Sequence, residues 1–158
     1  MTVVLTRACS DYMLGQSKLE RMAREVLGEL ESSEKFRFKY PVDILRMVSV
    51  SVRDNKVSYA QYSRKLVVLG MYLLKQDRDY IRYVIAHEYC HILNRYYGGV
   101  QHDRSFKGIE KDAMDVIGVI LDFGPRKRGR SKKYPRKVFN KKVLLEKVLE
   151  EIRKREEN

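Results

Sequence analysis

The chain has 158 residues, 44% of them hydrophobic, and this length suits one domain with a moderate core. Lysine and arginine number 33 against 21 acidic residues, so the formal net charge is +12, and no stretch approaches the roughly 18 apolar residues of a membrane span. Two cysteines, Cys9 and Cys90, exclude a disulfide framework. Because the N-terminus also lacks a signal-peptide pattern, we expect a soluble cytoplasmic protein without membrane partners.

The first half of the chain predicts one amphipathic helix followed by short strands. A Ser-x-x-Glu capping box opens the helix, which is predicted over 17–30 from apolar residues at helical spacing. Valines alternate with polar residues over 48–52, as in a half-buried strand. A turn at 53–56 then leads to further strands at 57–62 and 64–69. Which strand lies at the sheet edge, where a peptide can add to the sheet, is left open.

Five residues in the middle of the chain, His87-Glu88-Tyr89-Cys90-His91, have the spacing of a metal-binding helix. Residues four apart lie on the same helix face, with Cβ atoms roughly 5 to 6 Å apart. Both imidazoles can therefore bind one ion, with bonds of about 2.0 to 2.1 Å for zinc. Glu88 flanks that face and is placed to act as a general base. Cys90 points away from it, and we interpret it as a buried small apolar residue.

A catalytic zinc site usually has three protein ligands, so one more ligand must lie outside this helix. His102 is the first candidate, because it follows a Gly98-Gly99 pair that can end the helix and turn the chain back. Asp103 then has the position of an N-cap for a second helix. Glu110, 19 positions after the second histidine of the motif, is the alternative third ligand, as in the gluzincin arrangement.

The spacing of these residues resembles that of a known family. His87-Glu88-x-x-His91 followed by His102-x-x-x-Phe106 is similar to the pattern of the SprT-like metallopeptidases, which include SprT, Spartan and small YgjP-like relatives. The resemblance covers about residues 40–118. It implies a zincin-like α+β domain, in which a small antiparallel or mixed sheet packs on helices and the motif lies on the central helix.

The same resemblance implies a function and a set of roles. It implies one zinc ion per chain, with three histidine ligands, His87, His91 and His102. Glu88 would be the catalytic base, and Phe106 would pack behind the third ligand. For the SprT and Spartan members it implies cleavage of proteins that are bound or crosslinked to DNA.

The positive charge is concentrated towards the C-terminus. Between Gly124 and Leu145 the sequence has ten basic residues and no acidic residue. Such a cluster attracts nucleic acid mainly through its phosphates. Eight of these residues are our candidates for DNA contact: Arg126, Lys127, Arg128, Arg130, Lys132, Lys133, Arg136 and Lys137. The alternative is a solvated basic linker without a binding role.

These patterns divide the chain into three parts. Residues 1–123 are predicted to form the metallopeptidase domain. The helix that begins after Asp103 is predicted to continue to about Phe123, unless Gly108 or Gly118 breaks it. Residues 124–142 are predicted to be a basic linker, and 143–158 a C-terminal helix capped by Asn140. The apolar face of this last helix either docks on the domain or pairs with a second copy, so the oligomeric state is left open.

The predicted function is zinc-dependent cleavage of proteins that are associated with or crosslinked to DNA, with DNA bound through the basic segment. One alternative is a nucleic-acid-binding or regulatory protein in which the zinc is structural. Another is a zinc hydrolase of a non-peptide substrate. Glu88 argues against the structural alternative, because a structural zinc site does not need a carboxylate there. The DNA hypothesis places the protein at the nucleoid, or in the nucleus of a eukaryotic host.

Overall fold

The computed structural model describes residues 7–125 and 134–158, and it confirms an α+β fold with small sheets packed on helices. The helices are α1 (Arg7–Ser32), α2 (Glu34–Lys39), α3 (Asp43–Arg46), α4 (Arg78–Tyr96), α5 (Arg104–Ile117) and α6 (Lys141–Glu156). The strands are β1 (Ser49–Arg53), β2 (Tyr59–Gln61), β3 (Leu66–Gly70), β4 (Val119–Asp122) and β5 (Lys137–Asn140). None of the described helices is both long and apolar enough to cross a membrane.

Helix α1 buries the apolar stripe that its sequence predicts. The buried residues of the stripe are Leu19, Met22, Ala23, Val26 and Leu30. The predicted helix start at Ser17 is wrong, because α1 already includes Arg7 and Ser17 lies inside it. The extension packs closely on the turn after β3, where a Cβ added to Gly15 would lie 2.4 Å from Leu74 Cδ1. Tertiary packing therefore stabilises helical residues on the N-terminal side of Ser17. The Ser-x-x-Glu sequence lies inside the helix and does not mark its start.

Strand β3 is the middle strand of a three-stranded sheet with the order β1-β3-β2. It pairs with β1 in parallel and with β2 antiparallel, with Tyr59 opposite Val68. The turn after β1 therefore leads to β2 without closing a hairpin. Val67, Val68 and Leu69 are fully buried, so the most apolar strand takes the central place. This order leaves β2 at one edge of the sheet.

Helix α4 is the central helix of the fold and is buried on nearly all sides. It packs against α1, α5, β2 and β5. Its buried residues are Ile81, Tyr83, Val84, Ile85, Ala86, His87, Glu88, Tyr89, Cys90, Ile92, Leu93 and Asn94. Cys90 is fully buried, which confirms its predicted packing role. The motif residues are thus held inside the core rather than on a solvated helix face.

Helix α5 begins as predicted but ends earlier. Asp103 caps it by accepting a hydrogen bond from the backbone N–H of Phe106, at 2.8 Å. Gly118 has a left-handed φ of 71° and ends the helix at Ile117. The predicted continuation to about Phe123 is wrong and the alternative break at Gly118 is confirmed, because residues 119–122 form β4. Their β-branched and apolar side chains suit a strand once the glycine has ended the helix.

Part of the predicted linker 124–142 is structured. Residues 137–140 form β5, which pairs antiparallel with β4 and places Lys137 opposite Asp122. Asn140 caps α6 as predicted, by accepting hydrogen bonds from the first backbone N–H groups of the helix. No residue of α6 is buried, and its apolar side chains remain exposed: Val143, Leu145, Val148, Leu149 and Ile152.

Candidate metal centre

Three imidazole rings converge on α4 and on the loop that follows it. His87 and His91, one helical turn apart, have their Nε2 atoms 3.2 Å apart, and the Nε2 atom of His102 lies 3.3 Å from that of His87. A tetrahedral zinc ion with bonds of about 2.0 to 2.1 Å holds its ligand nitrogens about 3.3 Å apart. Both distances from His87 match this geometry, and all three ligand atoms lie within 4.8 Å of one another, so the structure brings the three predicted ligands close enough to hold one ion.

The loop between α4 and α5 contains two residues with a left-handed backbone conformation, Gly98 and His102. Gly98 has a φ of 78°, as the glycine pair predicts. The N–H of Gly98 donates to Arg95 O at 2.9 Å and that of Gly99 to Asn94 O at 3.0 Å, which together form a Schellman motif. His102 has a left-handed φ of 53°, uncommon for a residue other than glycine. The surrounding hydrogen bonds must therefore hold His102 in this conformation.

Asn94 supplies these hydrogen bonds from inside α4. Its Nδ2 donates to Val100 O at 3.0 Å and to Asp103 Oδ1 at 3.2 Å, and its Oδ1 accepts from Ser105 Oγ at 2.6 Å. A Cβ added to Gly99 would lie 2.4 Å from Asn94 Oδ1, so this approach requires glycine. One buried amide therefore joins the end of α4 to the start of α5, and the loop that carries the third histidine is fixed between them.

Glu110, the alternative third ligand, binds the opposite side of the His87 ring. Its Oε2 lies 2.5 Å from His87 Nδ1, which donates its N–H to the carboxylate. The hydroxyl of Tyr83 lies 3.4 Å from the same nitrogen. A histidine protonated at Nδ1 keeps Nε2 free to bind a metal. The structure thus places His102 in the histidine cluster on the Nε2 side of His87, whereas Glu110 binds the Nδ1 side of the same ring.

The sequence carries a signal for this role of Glu110. Phe106 lies four residues before it, so the two side chains share one face of α5. The Phe106 ring stacks on His91 with centroids 4.4 Å apart, and it contacts His87 and His102 at 5.1 and 5.0 Å. If Phe106 packs behind the histidine rings, then Glu110, one helical turn later on the same face of α5, is expected to reach those rings as well.

Burial sets the protonation of two residues in the centre. Burial, together with the neighbouring His87 and His102 rings, lowers the pKa of His91 to about 3, so its ring is neutral and can bind a metal. Burial raises the pKa of Glu88 to about 7, and the neighbouring His87 acts in the opposite direction. A bound cation would favour the carboxylate form of Glu88 in the same way.

A groove of about 770 Å³ opens at the centre, a volume typical of ligand-binding sites. It is lined by Glu88, His91 and His102, by residues 57–60 at and before β2, and by loop residues 99–102. Glu88 is only 3% exposed but borders this space. The candidate base and two candidate ligands therefore meet the groove next to an edge strand.

One further side chain lies at the centre, and sequence reasoning missed it. Tyr134 lines the groove, and its ring centroid lies 5.9 Å from that of His87. In the sequence it stands inside the basic run, with no pattern that links it to the metal motif. Only the return of the chain along β5 brings it to α4.

Neither of the two predicted DNA-contact residues that the structure describes lies at this centre. Arg136 binds Asp122, with Nη2 3.0 Å from Oδ2, and Lys137 is exposed with its Nζ 5.9 Å from the Phe139 ring centroid. The other six candidates lie outside the described residues: Arg126, Lys127, Arg128, Arg130, Lys132 and Lys133. Their role in DNA binding stays a prediction.

Comparison with known proteins identifies the family. The SprT-like family model matches residues 30–124, more than half of the chain. This chain belongs to the SprT-like family. The match spans every residue of the histidine cluster, and together with that cluster it supports a metallopeptidase-type function and a bound metal ion. No curated protein matches the sequence.

Two crystal structures of metallopeptidase zymogens are similar to this SprT-like chain. Abylysin of Pyrococcus abyssi has 16% sequence identity and a TM-score of 0.43, and the similarity covers 63% of this chain and 88% of abylysin. Jannalysin of Methanocaldococcus jannaschii has 13% identity and a TM-score of 0.41, with 85% of this chain and 96% of jannalysin covered.

Proposed function

We propose that this SprT-like protein is a zinc-dependent endopeptidase that acts on proteins in a DNA context. The observation that carries the proposal is the convergence of three histidine Nε2 atoms beside Glu88, in a groove bordered by an edge strand. Three histidines suit zinc and leave a fourth position for reactants. The buried carboxylate is the feature that a purely structural zinc site does not need.

The residues of the centre divide the chemistry among them. His87, His91 and His102 would hold the ion, which supplies Lewis acidity to the scissile carbonyl and to water. Glu88 accepts a proton from the attacking water and delivers it to the leaving amine, so no covalent intermediate is needed. Glu110 keeps His87 in the tautomer that binds metal, since it accepts the N–H of Nδ1.

The edge strand β2 supports an extended substrate. It pairs on one side with β3, and residues 57–60 at and before it line the groove. An extended peptide can add to such an edge by main-chain hydrogen bonds, which recognise backbone rather than side chains. Cleavage at this site is therefore expected to favour unstructured or locally unfolded protein segments.

The charge distribution supports the DNA context. Of the net charge of +12, most is carried by the ten basic residues between Gly124 and Leu145. Phosphate contacts by such a segment are largely independent of DNA sequence and weaken as salt rises. DNA would then act by concentrating the enzyme near proteins that are bound or crosslinked to it, with no change required at the metal centre.

One experiment tests the peptidase assignment at a single residue. The purified protein should contain about one zinc per chain and cleave an unstructured protein such as fluorescently labelled casein. Glu88→Gln keeps the shape of the side chain but cannot accept the proton of water. We expect zinc content to persist and cleavage to fall by at least about 10²- to 10⁴-fold.

The matched control is Glu146→Gln, which makes the same change on the exposed surface of α6. It should leave both zinc content and cleavage unchanged. Zinc-loaded wild-type protein that cleaves no protein, or a Glu88→Gln variant as active as wild type, would contradict the proposed function.

A further inference from the structure

Tyr134 is a groove residue that the proposed chemistry has not yet used. It lines the same groove as Glu88, His91 and His102, and its ring lies against the ring of His87. Tyr134 is 49% exposed, so part of its side chain is open to a ligand. Its phenol also lies within electrostatic range of the Glu88 carboxylate.

The position of Tyr134 is held by the residues that follow it. The backbone N–H of Arg136 donates to Asp122 O at 2.6 Å, and its Nη2 donates to Asp122 Oδ2 at 3.0 Å. Pro135, which separates Tyr134 from Arg136 in the sequence, is buried. Strand β5 then continues the pairing with β4 and packs on α4. These contacts connect Tyr134 to the helix that carries two of the ligands.

Two other side-chain donors at the groove are already engaged. Ser58 Oγ accepts from Gly70 N at 3.0 Å and lies 3.3 Å from the hydroxyl of Tyr72. Arg95 Nη1 donates to Gly99 O at 3.2 Å, which holds it at the end of α4. Within the part of the chain that the structure describes, the Tyr134 hydroxyl makes no hydrogen bond. It is therefore available to a substrate beside the ligand ring.

We propose that Tyr134 is a further catalytic residue of the peptidase, whose phenolic O–H donates a hydrogen bond to the carbonyl oxygen of the scissile peptide. This inference rests on the proposed function. Burial, together with the nearby Glu88 carboxylate, raises the pKa of the Tyr134 phenol above its ordinary value, so the phenol keeps its proton and is a donor at neutral pH. Negative charge develops on the carbonyl oxygen as water attacks, so a donor fixed beside the metal stabilises the transition state more than the bound substrate.

The kinetic test removes only the hydroxyl. Tyr134→Phe keeps the ring against His87, so zinc content and the thermal unfolding midpoint should match wild type. The rate kcat should fall about 10²-fold, the size typical of losing one oxyanion donor, with little change in KM. Tyr97→Phe is the matched control, because Tyr97 is 58% exposed at the end of α4 and does not line the groove; it should retain wild-type rates.

A binding measurement tests the same contact without turnover. A phosphinic peptide built on a mapped cleavage sequence presents tetrahedral oxygens in place of the reacting carbonyl. Calorimetry should show that zinc-loaded Tyr134→Phe binds it at least about tenfold more weakly than wild type. The uncleaved parent peptide, measured in the Glu88→Gln background with and without Tyr134→Phe, should bind equally well in both.

The outcomes separate this assignment from the proposed function. A wild-type protein that cleaves casein while Tyr134→Phe cleaves it equally fast overturns the role of Tyr134 alone. So does a variant that raises KM with kcat unchanged, since Tyr134 would then serve ground-state binding. A zinc-loaded wild type that cleaves no protein overturns the proposed function and this assignment together.

Discussion

The metal centre and the C-terminal α6 are held by different kinds of contact. Helix α4 and its ligands are surrounded by other elements, and each side chain of the centre touches residues far away in sequence. Helix α6 has no buried residue, and beyond its first turn, where Lys141 N donates to Gly118 O at 2.8 Å, its described contacts are local, such as the ion pair between Lys154 and Glu150. The candidate metal centre therefore depends on contacts between residues far apart in sequence. Helix α6 has few such contacts.

The largest expected difference concerns stability. Phe106 is 1% exposed and contacts all three histidines, so Phe106→Ala should lower the free energy of unfolding by about 3–5 kcal/mol. Leu149→Ala on α6, where the side chain is 47% exposed, should change it by no more than about 0.5 kcal/mol. Urea denaturation of both variants checks this. A similar loss for both would mean that α6 packs on the domain or on a second copy in solution.

The next prediction concerns DNA binding by the basic run. Six residues are replaced by glutamine: Arg126, Lys127, Arg128, Arg130, Lys132 and Lys133. Residues 134–158 are kept, because β5 and Tyr134 belong to the folded structure. The slope of log K against log salt should become less steep by up to about 5, since each lost phosphate contact removes about 0.9. Cleavage of free casein should be unaffected.

Fluorescence anisotropy with a short duplex at several salt concentrations measures this slope. The matched control neutralises six exposed cations outside the basic run: Arg21, Arg24, Lys147, Arg153, Lys154 and Arg155. An equally large change of this slope in both variants would show that DNA binding depends on the net charge of the protein rather than on the basic run. An unchanged slope in the first variant would make the run a solvated linker.

A smaller effect is expected at Glu110. Glu110→Gln removes the charge that accepts the His87 Nδ1 proton, and losing such a partner typically weakens metal affinity about 10- to 100-fold. His102→Ala should lose most of the zinc under the same conditions, because it removes a ligand. Competition with a zinc chelator measures both. If Glu110→Gln loses zinc completely while His102→Ala retains it, the third ligand is Glu110 and the histidine assignment is wrong.

The smallest effect is expected at the cap of α6. Asn140 accepts hydrogen bonds from Lys142 N and Val143 N, so Asn140→Ala should weaken the helix by about 1 kcal/mol. Asn140 Nδ2 also lies 3.4 Å from Asp79 Oδ1 in the first turn of α4. Hydrogen exchange should therefore become faster in α6 but remain unchanged around His87 and His91. Faster exchange around these two histidines would contradict the independence of the two regions.

Much of this architecture follows from local patterns. The five-residue motif, the stripe of α1, the caps at Asp103 and Asn140 and the left-handed Gly98 were all predictable, because each depends on spacing within a few residues. The misjudged boundaries have a common cause. Continuation of α1 through Ser17 depends on packing against Leu74, and β5 forms only because β4 lies beside it.

The sequence by itself determined the chemistry that a short helix can specify: two histidines and a carboxylate at fixed spacing, with His102 and Glu110 as rival third ligands. The tertiary structure separated the rivals in space, because α5 brings Glu110 to the Nδ1 side of His87 while the loop held by Asn94 brings His102 to the Nε2 side. It also decided that Tyr134 lies at the groove. Such choices depend on where distant segments meet, and residue spacing within one segment does not encode that.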